Sequence, residues 1–575
     1  MRRLAVLEDQ FRTFSPGERL ILYIFSALLA ISSFALVVEA NSLVSVTVPS
    51  RGGTLTEGVV GPARFINPLI SLSQPDEDIA ALVYSGLMRA RPDGTLVPDL
   101  AEKYEISEDG LNYTFTLREG LTFHDGAPIT SADILFTIQK AKDPDIKSTK
   151  RADWEGVTVA APDPKTVVFT LPRAYAPFLE NTTLGILPRH LWEGVSAGDF
   201  HFTPLNTHPV GSGPYRVSEL DTSNTGAPIR YELQSFNDFA LGEPNIRRIN
   251  FFFYPNEEAL INAYNAGHID SFAAVSPERV ADLRTEDTSL VRVALPRTFG
   301  VFFNQGKNAA LADPAVRNAL ASAVDKQSIV ESVLHGYGRP LSGPIPPGVL
   351  GVFAPATPTP LVDMAPATST GANFEEARNI LVSGGWKFDE AEHVWKKGTT
   401  RLEFTLASAD APELAATAEQ LASVWRSFGV VVNVHVYSLS ELNQTVIRPR
   451  NYEAVLFGEV VGRTLDLFAF WHSSQRNDPG LNLSLYTNAQ VDALLASART
   501  QTDANQRKQL YDQFTAIIDR DKPAIFLYAP EFLYVVPEGI GGVQLGALTT
   551  PSERFLNVQE WYTDTERVWT IFANK

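Results

Sequence analysis

Hydrophobic and polar positions follow two periods along this chain, and one early stretch has no period at all. From Leu20 to Val38 nineteen residues pass without a charge, bounded by Arg19 and Glu39. At about 1.5 Å per residue such a helix matches the hydrocarbon thickness of a bilayer. Arg2, Arg3, Arg12 and Arg19 precede it, which keeps the N-terminus in the cytoplasm by the positive-inside rule. Two readings compete. A signal peptide would end at Val38-Glu39-Ala40, a weak small-residue site, but its apolar region is normally shorter than this one. An uncleaved anchor fits the length better. Residues 1–19 then form a cytoplasmic segment, 20–38 the transmembrane or signal helix and 39–50 a tether. Everything after them lies outside the cytoplasm.

Beyond the tether the period shortens to two. Tyr113-Thr114-Phe115-Thr116-Leu117 alternates large apolar residues with Thr, a half-buried strand. Val167 to Leu171 predicts another strand, stopped by Pro172, and Ile249 to Tyr254 a third, before Pro255. Asp125-Gly126 marks a turn. Asp133 leads into Ile134-Leu135-Phe136-Thr137-Ile138, a buried segment open to helix or strand. In the later half the period is helical. Asp313-Pro314 pairs an N-cap with Pro at the first helical position, and Val316, Ala319, Leu320, Ala323 and Val324 form one buried face. Asn373 with Glu376 resembles a capping box, ended by Gly384-Gly385. Leu414, Ala418, Leu421, Trp425 and Phe428 stripe a further helix, closed by Gly429, and Val430 to Val436 follows as a strand. This alternation predicts sheets covered by helices. The Pro-, Ala- and Thr-rich run Arg339 to Gly371 reads as a long surface connection.

Composition narrows the function. The 575 residues carry a formal charge of −18 and no Cys. Disulfides, thiolate metal sites, a Cys nucleophile and a lipid-modified Cys are therefore excluded. The acidic balance argues against a nucleic-acid partner. The nine His are scattered, with no H-E-x-x-H spacing. No phosphate-binding glycine loop or G-x-S-x-G elbow occurs. Gly211-Ser212-Gly213-Pro214 looks like an anion loop, but Pro214 lacks an N–H donor, and a tight turn into a strand explains it better. No catalytic constellation, metal site or cofactor motif stands out, so no enzyme activity is expected.

Several strings taken together resemble the extracellular solute-binding proteins of family 5, the dipeptide-, oligopeptide- and nickel-binding class. Tyr84-Ser85-Gly86-Leu87 is similar to its "Y-x-G-L", and Pro98-Asp99-Leu100-Ala101-Glu102-Lys103-Tyr104 to its "P-x-L-A-E-x-W". The run from Asp109 to Asp133, with Phe123-His124-Asp125-Gly126 inside it, is the most specific. Gly211-Ser212-Gly213-Pro214-Tyr215 resembles "G-T-G-P-Y", and Ala266 to Asp270 resembles "G-x-x-D". Phe303-Asn304, Val316-Arg317-Asn318-Ala319-Leu320, Ala323-Val324-Asp325-Lys326, Phe470 to Ser474 and Tyr486-Thr487-Asn488 keep the family order. The likeness covers about residues 51 to 575. Most of these strings need only a strand, a turn or a helix start, so they speak for the scaffold more than for the ligand.

The resemblance implies an α/β, two-lobed periplasmic-binding-protein-like fold with a hinge and an extra inserted domain, preceded by the N-terminal helix. Lobe I would comprise 51–85, 205–300 and 525–575, the insertion 86–204, and lobe II 301–524. It implies a monomeric, non-enzymatic protein that captures peptides in an interlobe cleft and delivers them to an ABC-type permease. The alternatives are a receptor for an oligosaccharide, nickel chelate or other small solute, or an anchored peptide sensor not coupled to transport. For the ligand site the resemblance implies Phe65 and Asn67 on a first-lobe cleft strand, Phe303 and Asn304 at a second cleft edge, and Trp471 in the pocket wall. The acid that meets a peptide ammonium would be Glu459 or Asp466, although the family's "D-x-x-D-P" is absent. Arg463 and Arg476 are the cations offered for a peptide carboxylate. No metal and no cofactor are expected.

Overall fold

The computed structural model describes residues 14–349, 356–360, 374–463, 465–546 and 548–571. It divides into two units, Met1–Gly53 with Tyr562–Lys575, and Thr54–Trp561.

In the first unit the uncharged stretch forms one helix, Pro16–Val44. Ser15 caps it: the Ser15 N–H donates to Glu18 Oε2 at 2.8 Å and the Glu18 N–H returns to Ser15 Oγ at 3.4 Å. Its apolar side chains face outward, Phe34 being 72% exposed, and 24 residues, Pro16–Glu39, are long and apolar enough to cross a membrane. The helix runs directly into strand Ser45–Pro49, which pairs antiparallel with strand Thr565–Trp569 near the C-terminus. The Trp569 indole N–H donates to Asn41 Oδ1 at 2.7 Å, fastening that strand to the last turns of the helix.

The second unit is built on a mixed sheet. Across it run Val431–Tyr437, Glu403–Ala409, Ala454–Val460, Arg297–Phe303, Ala524–Pro537, Ser271–Ala273, Gly52–Val60, Ile246–Tyr254, Pro228–Ser235 and Tyr215–Thr222. Ala524–Pro537 is the key element. Its first half pairs antiparallel with Arg297–Phe303, and its second half with Thr288–Ala294 and Ser271–Ala273. The hydrophobic cores divide at the same place. One core gathers residues between Val301 and Ala529, including Trp425 and Phe514. A second gathers Leu55 to Leu295 with Phe532 to Trp561, and a third packs the helix Glu257–Asn265 against Leu533 and Val535. A separate four-stranded sheet, Ala101–Ile106, Asn112–Leu117, Thr166–Thr170 and Thr158–Asp163, covers part of the second core. Tyr113, Phe115 and Leu117 point inward from its strands, as the alternation predicts.

The ambiguous segment Ile134–Ile138 is helical. Helix Ser131–Lys142 begins at Thr130, whose N–H donates to Asp133 Oδ2 at 2.8 Å. The helix over Pro412–Ser427 buries Leu414, Ala418, Leu421 and Trp425, the two leucines each worth roughly 1.5–3 kcal/mol of transfer from water. Asp313 caps Pro314–Ser322 through the Ala315 N–H at 2.9 Å. Asn373 and most of the Arg339–Gly371 connection lie outside the described residues.

Two of the sequence strings gain physical reasons here. Arg317 is buried and donates to Leu311 O and Ala312 O, each at 2.9 Å, and to Asp521 O at 2.9 Å and Lys522 O at 3.0 Å. One guanidinium thus satisfies the carbonyl ends of two helices, Ala309–Ala312 and Ala504–Asp521. Gly211 and Gly213 turn the chain into strand Tyr215–Thr222 against the end of helix Gln74–Val83. A Cβ on Gly211 would meet Val83 O at 2.1 Å, and one on Gly213 would meet Leu82 O at 2.4 Å. His124 locks the same joint, its Nε2 lying 3.0 Å from Gly213 O and its Nδ1 accepting from the Gly211 N–H at 3.3 Å.

Candidate functional site

Four stretches far apart in sequence wall a cavity of about 430 Å³: residues 68–99, residues 150–185, Arg463 and residues 549–556. Local structure decides which side chains face it. Helix Gln74–Val83 is capped by Ser73, with Pro75 in its first turn, and Glu77, Ala80 and Ala81 fall on its cavity face at helical spacing. The short 3₁₀ helix Pro551–Phe555 presents Ser552, Glu553 and Phe555 to the cavity. Its Arg554 turns away, into the protein.

Among the described lining residues five are carboxylates, Glu77, Asp99, Asp153, Glu180 and Glu553, and three are cations, Arg89, Lys150 and Arg463. Arg89 Nε donates to Asp99 Oδ2 at 2.9 Å. Arg463 is shared: Nη1 bonds Glu180 Oε1, and Nη2 lies 2.5 Å from Glu553 Oε2. Among the described residues Glu77 and Asp153 find no ion pair or hydrogen bond for their carboxylates, and Lys150 stands near both. Burial raises the Glu77 carboxyl above its ordinary value, Lys150 opposes this, and Asp78, Glu553 and Asp76 add to it. Burial likewise raises Asp153 against Lys150. It raises Glu180 as well, with Arg463 lowering and Glu553 raising it further.

Behind this wall lies a fully buried network. Arg554 donates to Asp78 Oδ1 and Oδ2 at 2.6 and 2.7 Å, and to Glu57 Oε1 at 3.1 and 2.9 Å. Glu57 Oε2 accepts from the Ser271 hydroxyl and from the Tyr534 hydroxyl, the latter at 3.0 Å. Desolvation raises the Glu57 carboxyl, and the Arg554 charge does most to hold it down. The network ties strand Gly52–Val60, helix Gln74–Val83 and the 3₁₀ helix into one rigid cavity floor.

None of the seven residues expected at the ligand site lines this cavity. Phe65 is 36% exposed and meets His201 edge-on at 6.2 Å. Asn67 is buried, donating to Asn206 Oδ1 at 3.3 Å and accepting from the Leu69 N–H at 3.0 Å. Phe303 lies wholly within the core, and Asn304 donates to Arg450 O at 3.2 Å. Asp466 pairs with Arg499 at 2.7 Å and accepts from the Tyr175 hydroxyl at 3.4 Å. Glu459 and Trp471 are brought together in the interior. Glu459 is 2% exposed, with no hydrogen-bond partner for either oxygen among the described residues. Burial pushes its carboxyl well above the usual range, and the nearby Trp471 indole N–H works against this. Of the two cations offered for a peptide carboxylate, Arg463 lines the cavity but is held by two carboxylates, and the Arg476 side chain donates to Ser473 O at 3.0 Å.

The chain matches "Bacterial extracellular solute-binding proteins, family 5 Middle" over residues 95–485. It belongs to family 5 of the bacterial extracellular solute-binding proteins. Among this family 5 protein's relatives is the oligopeptide-binding protein AppA of Bacillus subtilis, 26% identical over 529 residues, which cover 89% of this chain and 92% of AppA. The AppA structure, in complex with a nonapeptide, superposes with a TM-score of 0.63 at 25% identity, covering 90% of this chain and 99% of that one. The ABC transporter substrate-binding protein CtaP of Listeria monocytogenes has the same fold, at TM-score 0.72 and 24% identity, over 90% of this chain and all of CtaP. NikZ of Campylobacter jejuni, in complex with Ni(L-His), gives 0.63 at 27% identity, over 88% and 99%. The α/β fold is thus that of the periplasmic binding proteins, with an added N-terminal apolar helix, and the role of this family 5 protein is solute binding.

The sequence strings already touched the cavity, since Tyr84, Gly86 and Asp99 belong both to them and to its wall. Sequence reasoning missed Glu77, Asp153, Glu180 and Glu553. No local pattern separates these acids from solvated ones.

Proposed function

We propose that this chain is the peptide receptor of an ABC-type importer, a monomer held outside the cytoplasm by its N-terminal helix. It captures peptides between two lobes, closes on them, and presents the closed form to the permease. Lobe I comprises 51–85, 205–300 and 525–575, with the insertion 86–204, and lobe II comprises 301–524. No bond is made or broken, and the driving energy is the ligand's greater affinity for the closed state.

The observation that carries this reading is the cavity. Its wall joins residues 68–99, 150–185 and 549–556 with Arg463, which pairs with Glu180 and Glu553; on the division proposed above these come from both lobes and the insertion, and the volume suits a small ligand, a range of about 300–1,000 Å³. Relatives support a peptide as the ligand: AppA is an oligopeptide-binding protein, solved with a nonapeptide. The length of the apolar helix, Pro16–Glu39, supports the reading of an anchor.

Native mass spectrometry of the full chain, purified in mild detergent, tests the reading. Added masses that fragment as short peptides are expected. A single non-peptide mass, or an empty protein that no peptide library stabilises against heat, would refute it.

A further inference from the structure

We propose that the strand Thr565–Trp569 docks on the outer surface of the membrane, with Trp569 seated at headgroup depth, so that the chain meets the bilayer at a second place besides its helix. The inference rests on the reading of that helix as a retained anchor and adds the protein surface that lipid covers.

The argument starts from depth. The apolar stretch Pro16–Glu39 is the part able to cross a bilayer, and the helix continues beyond it to Val44. Asn41 stands two residues past Glu39, about 3 Å further along the axis. The Trp569 indole N–H donates to Asn41 Oδ1 at 2.7 Å. The Thr570 N–H and hydroxyl both donate to Val44 O, at 2.8 and 2.9 Å. These bonds hold the indole where hydrocarbon gives way to headgroups. Trp accumulates at that level because its ring is apolar and its N–H needs a polar partner.

Exposure is the second observation. Although bonded, Trp569 is 51% exposed and Ile571 71%, and Val44 and Val46 are exposed beside them. Apolar residues scattered singly over a surface are ordinary. Here they gather where the strand pair meets the helix, and they continue its outward-facing apolar surface. The other seven Trp are all buried within Thr54–Trp561. Charge fits as well. By strand alternation Arg567 lies on the same face as Trp569, about 7 Å farther from the helix, at the level of lipid phosphates, while Glu566 lies on the opposite face.

The test uses the full chain in phosphatidylcholine nanodiscs, with the lipid either plain or brominated in its upper acyl chains, which quenches nearby indoles. Brominated lipid should remove about a tenth of the Trp emission, since one indole in eight responds, and Trp569→Phe should abolish that loss. The chain has no Cys, so a polarity-sensitive dye on Ile571→Cys reads the same surface with Trp569 intact. It should emit at clearly shorter wavelength than the dye on Thr565→Cys, at the far end of the strand. No quenching, quenching unchanged by Trp569→Phe, or the same dye emission at both positions overturns the inference. The anchor reading then still stands if the intact mass of the chain recovered from membranes includes residues 1–40. A chain that begins at Asn41 in that measurement overturns both.

Discussion

Replacing Arg554 by Met should destabilise the protein by about 4–7 kcal/mol at pH 7, and much less at pH 5. Arg554 is 1% exposed and is shared by Glu57 and Asp78, both fully buried. Met fills similar space without charge, so two carboxylates are stranded. Removing one partner of a buried pair costs about 3–5 kcal/mol. The alternative is to take up protons. Raising a carboxyl from an ordinary pKa near 4.3 so that it stays neutral at pH 7 costs about 3.7 kcal/mol, and two such events set the upper end. At pH 5 each protonation costs only about 1 kcal/mol, so the loss should shrink by about 2.7 kcal/mol for each carboxyl that protonates. The sign follows from linkage. In the variant Glu57, already raised by burial, loses the Arg554 charge that holds it down, so its stabilising proton is held at low pH and lost as pH rises. Urea unfolding at the two pH values, read by Trp fluorescence, measures this. Trp561 is a local reporter, packed on Phe555 at 5.7 Å. Adding Glu57→Gln and Asp78→Asn removes both stranded charges and should recover most of the loss. A loss below about 1 kcal/mol, or one of equal size at both pH values, would refute the reasoning that this network is held by buried charge.

Three further outcomes are expected. His124 is held neutral, its pKa lowered to about 4 chiefly by burial, with Arg216 adding to this and the Gly213 carbonyl and Asp125 opposing it. As pH falls from about 6.5 to 4 the unfolded chain takes the proton first, so up to about 3 kcal/mol of stability should drain away; His124→Gln should lack that slope, and parallel pH profiles for the two proteins would sink the idea. Glu459→Gln removes a buried carboxyl without a partner among the described residues, so it should leave stability unchanged or raise it by about 1 kcal/mol; a fall of more than about 1 kcal/mol in urea unfolding would mean the carboxyl has a structural partner. Gly213→Ala places a Cβ 2.4 Å from Leu82 O and should cost about 1–3 kcal/mol by thermal melting, whereas an unchanged midpoint would show that the joint yields freely.

Much of this protein is legible as sequence because much of it is local. The uncharged run Leu20–Val38 could only be an apolar helix, since no partner on one face was specified. The Asp313-Pro314 helix start and the stripe from Leu414 to Trp425 are set by which groups within a few residues must be satisfied or buried. The family strings are of the same kind: Gly211 and Gly213 mark a close backbone approach, and Arg317 serves two helix ends. Even so, the sequence could not name the groups each one touches.

The cavity's charge arrangement belongs to tertiary structure alone. Glu77, Asp153, Glu180, Arg463 and Glu553 come from distant parts of the chain, and Arg554 meets Asp78 across 476 residues of sequence. Whether an acid is solvated, paired with Arg as Asp466 is, or stranded as Glu459 is, depends on what chain closure brings beside it. Its own neighbours in sequence carry no record of that. Periodicity reports which face is buried, because burial is repeated every two or 3.6 residues. The partner of a buried charge is a single event, fixed only when the lobes fold and the loops between them close.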